Sequence, residues 1–150
     1  MGAFNTRVLL DSNFIISLQV TRHQFFTRAQ ELIYKFKETG VQPVVLPLVF
    51  DEFWYILKGY FKTDFSSATK DELAKMLLRS TKKVLAIERL FIADVDYREK
   101  DLLATLKIMS KYDLRPRDAM IVKSMQILGV KDIATFDSDF DRVKGINVIK

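Results

Sequence analysis

Short apolar runs recur along this chain, separated by amphipathic stretches, and no tight-turn dipeptide joins any two of them. This alternation constrains the fold more than any other feature. Val8-Leu9-Leu10 within Arg7–Asp11, Val44-Val45-Leu46 between Pro43 and Pro47, Ile133-Ala134-Thr135 after Lys131, and Asn147-Val148-Ile149 each read as a strand of a few residues. Phe91–Val95 reads as a further short strand or a turn. Strands that never pair through hairpins must be joined by crossovers, which predicts an α/β fold with a central parallel sheet of four or five strands flanked by helices.

The intervening stretches carry helical periodicity. Phe14, Ile15 and Leu18 mark a brief helix, and Phe26, Ala29, Leu32, Ile33 and Phe36 mark one over residues 23–39, stopped by Gly40. Val49, Phe50, Phe53, Ile56 and Leu57 define another over 48–60, followed by a polar loop over 63–68. Thr69 with Glu72 has the spacing of a capping box for a helix from Lys70, with a bend expected near Ser80. Helices over 97–112 and 117–128 follow, divided by Arg115-Pro116 and ended by Gly129. Residues 61–95 read as a helical segment added to one side of the sheet. Without an internal repeat or a linker, residues 1–150 are expected to form a single domain.

Composition removes several function classes. There is no Cys, hence no disulfide frame, thiolate zinc site or thiol nucleophile. The single His23 leaves little room for histidine-based acid–base chemistry. No apolar run approaches the ~18 residues of a membrane helix, and the start lacks the pattern of a signal peptide, so no membrane association and a cytoplasmic location are expected. Met1-Gly2 with Thr6 fits a myristoylation pattern by chance, while the strand from Arg7 argues for a buried N-terminus. The net charge of +5 favours a polyanionic partner.

The acids fall where strands end and helices begin. Asp11 follows the first strand, Asp137 lies just past Ile133-Ala134-Thr135, Glu52 sits early in the helix after Pro47, and Asp118 lies in the first turn of the helix opened by Pro116. Parallel sheets bind ligands at the carboxyl ends of their strands, so these four can meet at one edge. Clustered carboxylates resist ionisation, and a hard divalent cation relieves their repulsion. Oxygen-only ligands select Mg²⁺ or Mn²⁺, and such a cation can polarise a phosphoryl oxygen and activate water.

The strings Asp11-Ser12-Asn13, Glu52, Arg117-Asp118-Ala119, Thr135-Phe136-Asp137-Ser138-Asp139-Phe140 and Gly145-Ile146-Asn147-Val148-Ile149 occur in an order that resembles the PIN domain family across nearly the whole chain. The nearest subgroup is the VapC-like toxins. The resemblance implies a Mg²⁺- or Mn²⁺-dependent endoribonuclease, with Asp11, Glu52, Asp118 and Asp137 as the catalytic and metal-binding acids. Asp139 matches a secondary acid that some members use. Asn13 matches a small polar position that holds the first acid or a metal-bound water. The resemblance also implies an RNA substrate, a homodimer and an antitoxin partner. Residues 61–95 depart from a minimal toxin in length and helicity.

Plainer readings stand beside these. Asp11 can end a strand in a turn, and Asp118 can complement a helix dipole. Between Asp51 and Glu52, the stripe Val49, Phe53, Ile56 turns Glu52 inward and leaves Asp51 as the surface acid. Asp137, Asp139 and Asp141 alternate like the start of a calcium loop, but its glycine and closing Glu are missing. Arg117 can clamp a phosphate or pair with a surface acid. Tyr60 and Phe61, beside Lys58 and Lys62, can stack on bases or pack in the fold. Two other functions compete with the nuclease: a non-catalytic RNA- or protein-binding module, and a phosphoacceptor receiver domain. The latter is disfavoured, since no acid pair ends the first strand and no Lys-Pro follows a late one.

Overall fold

A computed structural model describes residues 6–150; Met1-Gly2, on which the myristoylation pattern rests, lies outside the described residues. Five strands form one sheet: β1 (Arg7–Leu10), β2 (Gln42–Val45), β3 (Phe91–Ile92), β4 (Asp132–Ala134) and β5 (Asn147–Ile149). Their spatial order is β3-β2-β1-β4-β5, with every neighbouring pair parallel. β1 is central because it is apolar on both faces: Val8, Leu9 and Leu10 are all buried, and Leu9 sits in register with Val44 on one side and Ile133 on the other.

Six helices flank this sheet: α1 (Ser12–Gln19), α2 (Phe26–Thr39), α3 (Pro47–Asp64), α4 (Lys70–Leu85), α5 (Glu99–Tyr112) and α6 (Pro116–Leu128). Several ends follow from single residues. Gly40 and Gly129 close α2 and α6 at φ +71° and +67°, a region open to glycine at little cost. Pro47 and Pro116 occupy first-turn positions, where the missing N–H removes no helical bond. At α4, the Thr69 hydroxyl accepts from the Glu72 N–H (3.2 Å) and the Glu72 carboxylate accepts from the Thr69 N–H (2.7 Å), completing the expected capping box.

Some boundaries differ from the sequence reading. α2 starts at Phe26, not His23, because the Phe25 N–H donates to His23 Nδ1 (3.2 Å) and the Phe26 N–H to the His23 carbonyl (2.9 Å), fixing a turn there. α3 continues through Asp64 and takes in residues assigned to the following loop. α4 runs unbroken through Ser80, whose small side chain is buried in the helix's inner face. Phe91–Ile92 is a two-residue edge strand on β2. The segment over 61–95 is thus the end of α3, α4 and β3, with α4 packed along α3 and tied to it by a hydrogen bond from Trp54 Nε1 to Thr81 Oγ1 (2.9 Å). Tyr60 and Phe61 pack against the core, and Arg22 lies over the Tyr60 ring.

α5 inverts its pattern. Leu102, Leu103 and Leu106 face solvent at 52%, 56% and 57% exposure, whereas Asp101 and Thr105 are buried. Asp101 is held there by the Arg98 N–H (3.1 Å) and by Lys123 of α6 (3.2 Å).

The chain reaches β2 through α1 and α2 on one side of β1, and returns through α5 and α6 to β4 on the other. The carboxyl ends of β1 and β4 therefore flank a topological switch point, where a parallel sheet opens a crevice.

Candidate active site

Asp11 is buried at this edge. It follows β1 and caps α1, and its Oδ1 accepts from the Ser12 N–H at 2.8 Å. Thr135, fully buried at the end of β4, places its Oγ1 2.8 Å from Asp11 Oδ2 and 3.1 Å from Asn13 Oδ1, so its one proton serves either acceptor. Burial pushes the Asp11 carboxyl up from 3.8 to about 6, against the lowering pull of Thr135 and Ser12, and the charges of Asp118 and Glu52 add to the rise. Mutual repulsion of this kind requires the acids to be close together.

Glu52 comes from the first turns of α3, at the end of β2. Its Oε2 accepts from Ser12 Oγ at 2.5 Å, which joins α3 to the β1 edge. Its side chain is 18% exposed against 71% for Asp51, the inward and outward assignment expected from the helical stripe. Arg117 pairs with both, at 2.8 Å to Asp51 and 3.2 Å to Glu52, and is thus an acid partner in this state.

Asp118 and Asp137 meet across the switch point. Asp118, only 3% exposed, lies in the first turn of α6; Asp137 follows β4 and caps the short 3-10 helix Ser138–Arg142 through the Asp139 N–H (2.9 Å). Ligand oxygens of Asp118, Asp137 and Asp139 lie within 4.8 Å of one another. Burial raises the Asp118 pKa; Arg115 opposes this, and Asp137 and Glu52 reinforce it. Asp139 therefore joins this group directly, while Asp11 is linked through Thr135 and Glu52 through Ser12.

Asn13 does not hold the first acid, one of the two roles expected of it; its Oδ1 accepts from the Phe136 N–H at 3.1 Å and faces the Thr135 hydroxyl. It fixes the strand-to-loop turn carrying Asp137. Phe136 braces the same turn by stacking on Phe25 (4.3 Å between ring centres) and on Phe14 (5.8 Å).

Three residues at this edge were given no role by sequence reasoning: Ser12, Thr135 and Arg115. Arg115 donates from Nε to Asp118 Oδ2 (3.0 Å) and from Nη2 to Asp137 Oδ2 (2.9 Å). Its spacing of three from Asp118 was a legible signal for the first contact. The second needed the fold. The donor set here is all oxygen, crowded and partly buried, and burial pushes the Asp11 and Asp118 carboxyls toward their neutral forms. It suits a hard cation such as Mg²⁺ or Mn²⁺ and offers nothing to a thiophilic one.

Among known proteins, the chain is 27% identical to Ribonuclease VapC6 of Methanocaldococcus jannaschii, over 97% of both chains. Its fold matches VapC20 of Mycobacterium tuberculosis, a sarcin-ricin-loop-cleaving toxin, with a TM-score of 0.66 at 13% identity, over 93% of this chain and 96% of that one. It also matches a toxin-antitoxin complex from Klebsiella pneumoniae with a TM-score of 0.60 at 16% identity, over 95% and 96%. The PIN domain profile matches residues 8–146, a span that holds Asp11, Glu52, Asp118, Asp137 and Asp139: the chain belongs to the PIN domain family.

Proposed function

We propose that this protein is a metal-dependent endoribonuclease hydrolysing RNA phosphodiester bonds, and the toxin of a toxin–antitoxin pair, formed by a single domain over residues 1–150. The observation that carries this reading is the convergence of acids from β1, α3, α6 and the β4 loop on one edge, with Asp11 buried among like charges. Asp118, Asp137 and Asp139 would hold the cation, with Asp11 and Glu52 completing the acidic lining. A bound Mg²⁺ or Mn²⁺ would supply charge stabilisation at the phosphoryl group and a lowered pKa for water.

The protein's own part is orientation. Thr135 and the Ser12 N–H keep the Asp11 carboxylate aimed at the edge, Ser12 Oγ sets Glu52, and the Asn13–Phe136 bond holds Asp137 in place. Arg117 and Arg115 supply positive charge for the RNA backbone. Asp11→Asn and Asp118→Asn should each abolish Mg²⁺-dependent RNA cleavage with the fold intact, and EDTA should stop the wild type. Full cleavage by both variants would refute the proposal.

The partner reading extends this. The exposed leucines of α5 are apolar surface of the kind that marks protein contacts, and support a homodimer. Between α3 and α4 lies a groove of about 600 Å³, lined by Phe65, Leu73 and Leu77 and rimmed by Lys58, Lys62 and Lys70, which suits an acidic, partly apolar segment such as an antitoxin would offer. No helix among the described residues is long and apolar enough to cross a membrane, and the proposed place of action is the cytoplasm.

A further inference from the structure

The metal-dependent reading leaves one contact unexplained: a guanidinium already bonded to the carboxylates that a cation would need. We propose that Arg115 is the resting counter-ion of the Asp118–Asp137 pair, that a divalent cation displaces it, and that the released guanidinium then binds the RNA phosphate brought to that cluster. The inference rests on the function proposed above and concerns how its site is loaded.

The geometry makes the two cations alternatives. Arg115 Nε and Nη2 take Asp118 Oδ2 and Asp137 Oδ2, at 3.0 and 2.9 Å. Both carboxylates belong to the triad whose ligand oxygens lie within 4.8 Å. Asp137 Oδ1 accepts from the Asp139 N–H and Oδ2 from Arg115, both at 2.9 Å, so a cation that takes Oδ2 competes with Arg115. The acids are also the poorer movers. Asp118 is 3% exposed and fixed in the first turn of α6, and Asp137 is tied to its own loop.

Arg115 is the side chain that can leave. It is 62% exposed, against 4% for Asp118 and 20% for Asp137, so the guanidinium can swing into solvent where the two acids cannot. Its guanidinium stays protonated at any ordinary pH, so it leaves as a full cation. A guanidinium freed beside a bound phosphate finds an acceptor that matches its paired N–H groups better than water does. Arg117 is less available for this role, being 35% exposed and shared between Asp51 and Glu52.

The test compares wild type, Arg115→Gln and Arg115→Lys. Mg²⁺ binding to RNA-free protein is measured by calorimetry, and the Arg115 Nε–H resonance is followed by ¹⁵N NMR as Mg²⁺ is added to wild type. Arg115→Gln should bind Mg²⁺ about fivefold more tightly, because the two ion pairs of a solvent-screened guanidinium no longer compete for Asp118 and Asp137. Arg115→Lys should fall between the two. In wild type the Nε–H signal should move or broaden into exchange with water as Mg²⁺ saturates. The KM for RNA should rise in Arg115→Gln while Mg²⁺ affinity improves, opposite movements that a purely structural brace would not produce. Equal or weaker Mg²⁺ binding by Arg115→Gln, or an Nε–H signal unmoved at saturation, overturns the inference and leaves the nuclease reading standing. Absence of Mg²⁺ binding in all three proteins overturns both.

Discussion

Asp11→Asn offers the most direct physical test of the site, because it separates stability from function. In the metal-free protein the Asp11 pKa is raised from 3.8 to about 6, chiefly by burial. Each pH unit in that interval corresponds to ~1.4 kcal/mol, so ionised Asp11 destabilises the fold by ~3 kcal/mol at neutral pH. The sign follows from proton binding. Between about pH 4 and 6 the folded state holds the proton more often than the unfolded chain does, so stability falls as pH rises through that window and levels off above it. Asn is isosteric and uncharged. Its oxygen can accept from the Ser12 N–H, and its amide can donate to Thr135 Oγ1, which then donates to Asn13. The substitution should therefore be near neutral at pH 4 and stabilising by up to ~3 kcal/mol at pH 7–8, or ~6–12 °C in Tm for a chain of this size. Urea and thermal melts in EDTA across pH 4–8 measure it. Excess Mg²⁺ should then stabilise wild type more than the variant, since binding only to the native state adds ~2.7 kcal/mol at 100-fold over Kd. A stability difference that does not change between pH 4 and pH 8, or a variant weaker than wild type throughout, would refute the argument. A variant that is more stable yet inactive would show that the buried charge is retained for chemistry at the expense of the fold.

Other positions give independent checks. Thr135→Val keeps the shape of the side chain but removes the donor to Asp11 and the acceptor of the Asp137 N–H (3.1 Å); it should cost ~1–3 kcal/mol in urea unfolding and move the Asp11 pKa further up. Asp101 is held below the usual carboxylate range, first by the Arg98 N–H and then by Lys123, against its desolvation. Its contribution is present above the ordinary carboxylate pKa and is lost as pH falls through its lowered one, so Asp101→Asn should lower Tm at pH 7 and matter progressively less in acid. Gly129→Ala forces a β-carbon into a left-handed conformation at φ +67°, and should destabilise by ~1–2 kcal/mol in a thermal melt without altering RNA cleavage.

Much of the architecture was legible because its determinants are local. The apolar runs around Val8, Val44, Ile133 and Val148 are short and lack hairpin turns, which leaves parallel pairing as the way to bury them. Gly40, Gly129, Pro47, Pro116 and the Thr69–Glu72 box mark helix ends through their own backbone chemistry. The Asp51–Glu52 assignment follows from the 100° step of a helix. The errors of extent also have local causes: the His23 turn delays α2, and α3 runs four residues past Tyr60 to Asp64, with Phe61 packed on the core.

By itself, then, the sequence determined the alternation of strands and helices, the helix ends, and the acids that stand at strand ends. Tertiary structure alone decided that β4 lies beside β1, which brings Thr135 to Asp11 across 124 residues and Asp137 to Arg115 across 22. It also decided that the leucines of α5 face outward while Asp101 is buried on Lys123. The physical reason is range. Caps, turns and periodicity act over three or four neighbouring residues, whereas burial and charge repulsion at the acidic edge exist only once distant segments have been packed together.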